Sequence, residues 1–103
     1  MTLRILAEAE VEIDEARRYL NKQSPGLGGR FLDDLAGVLD DVAAGPLRFS
    51  KLETLPDDQP YRRAWLRIFR YAVIYEIMPQ EIAVIAVAHT SREPNYWLGR
   101  SST

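Results

Sequence analysis

Residues 82–88 read IAVIAVA: seven consecutive apolar side chains in a chain of 103 residues. The run is short, rich in β-branched residues and preceded by Met78-Pro79-Gln80-Glu81, so it reads as a strand entered through a tight turn. Side chains along a strand alternate between the two faces of the sheet. A strand that is apolar at every position must therefore be covered on both. That requirement constrains the whole fold. The strand has to be central in its sheet, one face needs a helical layer, and the other needs a lid.

The helical layer is found upstream. Ala9, Ile13, Ala16 and Leu20 recur at helical spacing after first turns rich in Glu and Asp. Ser24-Pro25 reads as an N-cap followed by proline at the first helical position. Phe31, Leu35, Val38 and Val42 form a second stripe that Gly45-Pro46 stops. The glycines of GLGG at 26–29 follow no strand and lack phosphate-loop spacing, so they read as a weak first turn. The short connection makes the two helices an antiparallel hairpin.

Residues 2–6 read as a short strand with Leu3 and Ile5 on one face. The long connection 46–60 has Leu47, Phe49, Leu52 and Leu55 to pin it down. Over residues 62–69 the even positions Ala64, Leu66 and Ile68 are expected to face the helices. Arg63, Trp65, Arg67 and Phe69 are then expected on the opposite face. Residues 71–78, rich in β-branched and aromatic side chains, are expected to pair antiparallel with 82–88. The predicted class is α+β: a single two-layer β-α-α-β-β-β domain over residues 1–103, with a helical hairpin packed on one face of an antiparallel sheet.

Composition removes several kinds of chemistry. There is no cysteine, which rules out thiol catalysis and disulfides, and one histidine, His89, is too few for an ordinary metal site. The pairs Asp33-Asp34, Asp40-Asp41 and Asp57-Asp58 are adjacent in sequence, so they diverge and read mostly as solvated charge. No metal or cofactor is expected. The first residues are charged early, unlike a signal peptide, and no run approaches a membrane span, so a cytoplasmic protein is expected. The net charge of −2 conceals a division: residues 1–60 carry 12 Asp/Glu against 7 Lys/Arg, and residues 61–103 carry 3 against 6. The two halves present different surfaces to partners.

Guanidinium groups interleaved with aromatic rings at 63–69 make a face that can grip phosphates and stack on bases, or one where arginines simply lie over aromatics. The lid over the second sheet face is either Tyr96 and Trp97 folding back or a partner chain. His89 reads either as a hydrogen-bonded strand cap or as a general acid–base. Arg92 reads as a phosphate ligand or as the partner of Glu76, Glu81 or Glu93. Tyr96 is either part of the lid or a catalytic phenol.

In order, Arg62-Arg63, Phe69-Arg70-Tyr71-Ala72-Val73-Ile74-Tyr75, Ile85-Ala86-Val87-Ala88-His89, Arg92-Glu93-Pro94 and Tyr96-Trp97 resemble the RelE/ParE toxin superfamily of type II toxin–antitoxin modules. Ala16, Tyr19, Ser24-Pro25, Arg30-Phe31 and Leu35 fit as well, so the resemblance spans nearly the whole chain. It implies a bacterial cytoplasmic toxin and a small antitoxin that wraps it. RelE-like members are ribosome-dependent endoribonucleases that use basic side chains and a tyrosine. ParE-like members inhibit DNA gyrase and trap its cleaved DNA.

Set against the nuclease pattern, Arg63 keeps a basic position and Trp65 loses one, while Ala72 and Thr90 stand where arginines are expected. Tyr96 is retained, with Arg92 nearby. The resemblance therefore points to the ParE-like branch, a gyrase-binding growth inhibitor that is not itself an enzyme. Arg63, Trp65, Arg67, Arg92, Tyr96 and Trp97 are its candidate contacts with target or antitoxin. The rival is a nuclease acting on ribosome-bound mRNA through Arg63, Arg67, Arg92 and Tyr96, with His89 as substitute base. A third reading is a degenerate toxin that only binds an antitoxin.

Overall fold

The structure, a computed structural model, describes residues 1–101. In chain order it contains β1 (Thr2–Ile5), α1 (Ala7–Gln23), α2 (Leu27–Ala44), a 3-10 turn at Pro46–Arg48, β2 (Tyr61–Trp65), β3 (Tyr71–Ile77) and β4 (Glu81–His89). The apolar run lies where its composition requires. β4 sits between β1 and β3 in a sheet of order β1-β4-β3-β2, and residues 82–87 are all buried. The hairpin turn closes through the Met78 N–H on the Glu81 carbonyl at 2.8 Å. The sheet departs from expectation in being mixed, because β1 runs parallel to β4, with Thr2 opposite Glu81 and Ile5 opposite Val84. Parallel neighbours need a long crossover, and the helical hairpin with β2 and β3 supplies it.

The hairpin covers one face. Phe31, fully buried on α2, meets the rings of Phe69 at 5.9 Å and Tyr71 at 5.0 Å, both edge-on. Ser24 does not cap α2 as predicted. It ends α1, its N–H bonded to the Leu20 carbonyl, and α2 begins only at Leu27. Gly26, at φ 92°, makes the left-handed turn between the helices. The cap comes from the preceding helix: Asn21 Oδ1 accepts the Gly28 N–H at 2.8 Å, satisfying one of the orphan amides of the first turn.

Gly28 does more than begin a helix. A Cβ there would lie 2.6 Å from the Arg17 carbonyl oxygen and 2.9 Å from both Arg17 Cγ and Asn21 Oδ1. Gly28→Ala therefore forces the helices apart, and overpacking of this kind costs about 1–3 kcal/mol. The better helix propensity of alanine returns up to ~1 kcal/mol. The expected net result is a fall in Tm of about 5–10 °C, read by thermal unfolding; an unchanged Tm would show that the helices separate freely.

The 62–69 strand ends sooner than expected. β2 stops at Trp65 and pairs with β3 from Tyr61 opposite Glu76 to Trp65 opposite Ala72. Beyond it the Asp34 carboxylate on α2 accepts three consecutive backbone amides, those of Arg67 (3.1 Å), Ile68 (2.8 Å) and Phe69 (3.1 Å). Amides gathered on one carboxylate cannot also join a ladder, so the chain turns. Ala64 and Leu66 are buried as predicted, but Ile68 is 67% exposed rather than packed on the helices. Phe69 and Arg67 lie on the helical side rather than beside Arg63, Phe69 against Phe31 and Arg67 paired with Asp41 of α2.

Of the residues expected to pin the 46–60 connection, Leu52 is buried and Phe49 and Leu55 pack against the core, whereas Leu47 is exposed. Tyr75 adds a tether, its hydroxyl donating to the Pro46 carbonyl at 2.5 Å; burial pushes that phenol up to about 12. Among the described residues, no helix is long and apolar enough to cross a membrane.

Candidate functional site

Strand alternation puts Arg63 and Trp65 of β2, Ala72 and Ile74 of β3, and Ala88 of β4 on the sheet face opposite the helices. The C-terminal tail crosses this face. Trp97 is 2% exposed and packs edge-on against Tyr61 of β2 at 4.8 Å, so the second face of the sheet has a lid made by the chain itself. The lid is incomplete. Between Trp97 and the half-exposed Trp65 a cavity of about 160 Å³ remains, floored by Ala72, Ile74 and Ala88 and bordered by Leu52 and Thr54. Two alanines at paired positions in adjacent strands account for its depth. A bond between Thr54 and Asn95 at 3.4 Å ties the 46–60 connection to the tail.

Two cations border the cavity. The Arg63 guanidinium lies 4.7 Å from the Trp65 ring centroid, and among the described residues no carboxylate stands within ion-pair distance of it. The Arg92 guanidinium lies 3.9 Å from the Tyr96 centroid. Arg92 makes no ion pair with Glu76, Glu81 or Glu93; Glu81 instead pairs with Arg4 at 2.9 Å. Arg67, a third candidate, belongs to the Asp34 turn and not to this face.

Tyr96 leads to a cluster that the predicted residues do not include. Its hydroxyl donates to Glu12 of α1. The Glu12 carboxylate also accepts the Arg100 guanidinium at 2.8 and 3.1 Å and the backbone N–H of Val87 at 3.0 Å. Arg100 completes the arrangement by donating to the Ile85 carbonyl at 3.1 Å. β1 covers β4 only as far as Val84, so the strand edge beyond it is open, and two side chains take the place of the missing strand. Burial, then the Glu12 hydrogen bond and charge, push the Tyr96 phenol far above its ordinary value, with Arg92 and Arg100 opposing. The bond to Glu12 is the main cause that raises the Arg100 guanidinium further above its ordinary value.

His89 stands at the end of β4 with its ring edge-on to Tyr71 at 4.9 Å. The Ser91 backbone N–H donates to Nδ1 at 3.0 Å, and Ser91 Oγ lies 2.7 Å from the same atom. An amide can only donate, so Nδ1 is an acceptor and the neutral ring carries its proton on Nε2. Thr90 is exposed, its backbone N–H on the Arg70 carbonyl at 3.0 Å. Among the described residues no cluster of three or more His, Asp or Glu is placed to hold a metal ion.

The fold thus brings together Arg63, Trp65, Arg92, Tyr96 and Trp97 around one cavity, with His89 at its edge, and separates Arg67 from them. Glu12 and Arg100 are groups that no expectation named, and Asp34, expected to be solvated charge, is instead buried because three backbone amides converge on its carboxylate. For Glu12 and Asp34 the sequence does carry a signal: each is an acid on the apolar stripe of its helix, three residues after Ala9 and Phe31 respectively.

The fold agrees with comparisons to known proteins. The family described as "ParE toxin of type II toxin-antitoxin system, parDE" matches residues 3–94. The solved structure titled "Chromosomal ParDE TA system from P. aeruginosa" superposes with a TM-score of 0.74, covering 86% of this chain and 95% of its own, at 11% identity. At that identity the likeness establishes the fold alone. No curated protein sequence matches the chain. With the family match running over nearly its whole length, the chain belongs to the ParE toxins of type II toxin–antitoxin systems.

Proposed function

We propose that the chain inhibits growth by binding DNA gyrase in the cytoplasm, without catalysing a reaction of its own, and that a cognate antitoxin neutralises it. The observation that carries this reading is the state of Tyr96. It is the one side chain retained from the nuclease pattern. Its hydroxyl is engaged by Glu12, and its proton is held more tightly than in a free phenol. A phenol so placed is a poor participant in proton transfer at neutral pH. The cavity floor supports the same reading, since Ala72 occupies a position where the nuclease pattern has an arginine.

The test uses purified chain added to a gyrase supercoiling and DNA-cleavage assay. Loss of supercoiling with accumulation of cleaved DNA is expected, relieved by the cognate antitoxin. Unchanged gyrase activity beside cuts in translated mRNA would establish the ribonuclease instead, and unaffected growth on induction would leave an antitoxin-binding module. His89→Ala is expected to change gyrase inhibition by less than about twofold, whereas loss of a general acid–base lowers a rate by about 100-fold or more.

A further inference from the structure

The cavity between Trp65 and Trp97 has a definite chemistry, and we infer that it receives one large apolar side chain from an acidic segment of a protein partner. Resting on the reading above, that partner is the antitoxin. Three features lead to this occupant. The floor of Ala72, Ile74 and Ala88 offers no hydrogen-bond donor or acceptor from its side chains, so it suits an apolar group. Cavities of about 150 Å³ accept benzene, and about 160 Å³ is therefore room for one leucine or phenylalanine side chain. The rim is cationic: among the described residues neither Arg63 nor Arg92 has a carboxylate within ion-pair distance, and each guanidinium lies over a ring. Glu93 also borders the cavity, but it is exposed.

RNA fits less well. A base would need a free aromatic face, and Arg63 already lies over Trp65. A phosphate chain would need several cations in a line, and Arg67 is committed to Asp41 on the other side of the sheet. A carboxylate flanking the inserted side chain instead finds Arg63 already positioned by Trp65, where a charge-assisted hydrogen bond can form with little further ordering.

The experiment titrates the full chain, labelled for NMR, with a capped octapeptide of sequence Ala-Glu-Glu-Leu-Phe-Glu-Glu-Ala. Three comparison ligands are used: the same peptide with each Glu replaced by Lys, the same with Leu-Phe replaced by Ser-Ser, and hexauridylate. The expected result is a saturable shift of the Trp65 indole and of the Ala72 and Ala88 methyl signals with the acidic apolar peptide, about tenfold tighter than with the lysine version. Arg63→Glu should reverse that order, and Arg63→Gln should narrow the difference to what Arg92 alone supplies, which keeps the test open if one variant folds poorly. Equal binding of the Ser-Ser peptide, tighter binding of hexauridylate at the same signals, or no saturable shift with any peptide would each overturn the inference. The gyrase assay reads separately, so failure of the slot and failure of the functional reading are distinguishable.

Discussion

Glu12→Ala is expected to lower the thermal midpoint by about 15 °C, a larger loss than truncation of any other helical surface acid. The carboxylate is a shared acceptor for a strand amide, a phenol and a guanidinium, and its side chain is only 10% exposed, against 17% for Arg100. Its removal leaves the Val87 N–H and the Tyr96 hydroxyl without their partner and strands a cation in a poorly solvated place. Breaking a buried pair from one side costs about 3–5 kcal/mol; partial exposure here favours the lower figure, and each kcal/mol is worth about 4–8 °C in a domain of this size. Arg100→Met keeps the hydrocarbon stem and leaves Glu12 with two of its donors, so roughly half the loss is expected. The double-mutant cycle between the two should return a coupling of about 1–2 kcal/mol.

Hydrogen exchange gives a local readout: the Val87 amide should lose protection in Glu12→Ala at temperatures where the β3–β4 ladder keeps it. A variant losing less than about 1 kcal/mol would show that water replaces the carboxylate at the strand edge. The tail held by this cluster builds one wall of the cavity, so peptide binding should weaken with it.

How much of this was legible depends on what each residue's neighbours in sequence could reveal. The double-sided apolar run at 82–88 dictated a central strand and a second cover, and Trp97 supplies that cover. The helical stripes at Ala9–Leu20 spacing and Phe31–Val42 spacing followed from periodicity alone. What escaped was long-range polar bonding. Alternation predicts that Ile68 packs inward, and it fails because an acid 34 residues earlier takes the Ile68 amide. Adjacency predicts that the Asp pairs diverge into solvent, yet an acid on an apolar stripe is a warning that something distant is being held. Arg100 gave no such warning, since its partners Glu12 and Ile85 lie in two different elements and it falls beyond the family match.

The same reasoning makes Asp34 the second sensitive position. Asp34→Ala is expected to cost about 2–4 kcal/mol, because three amides lose their acceptor at once and each orphaned donor is worth about 1–3 kcal/mol when water does not reach it. Exposure of Arg67 and Ile68 allows some hydration and keeps the total below the sum. Asp34→Asn is expected to be nearly as damaging, since one carboxylate oxygen becomes an N–H₂ aimed at donors. Acid titration separates electrostatics from packing. Burial works against ionisation of Asp34, but the amides of Ile68, Phe69 and Arg67 outweigh it and hold its pKa below 3.8. A lowered folded-state pKa stabilises the fold fully above the unfolded value near 3.8 and progressively less as the pH falls through the folded value. Wild-type stability should therefore decline below about pH 4, with the Asp34→Asn curve flatter and the two converging in acid. Parallel curves would show that the turn is held by packing of Phe69 on Phe31 and not by the carboxylate. Because the turn directly follows Trp65, loosening it should also blur the position of Trp65 and Arg63 and weaken binding at the cavity they border.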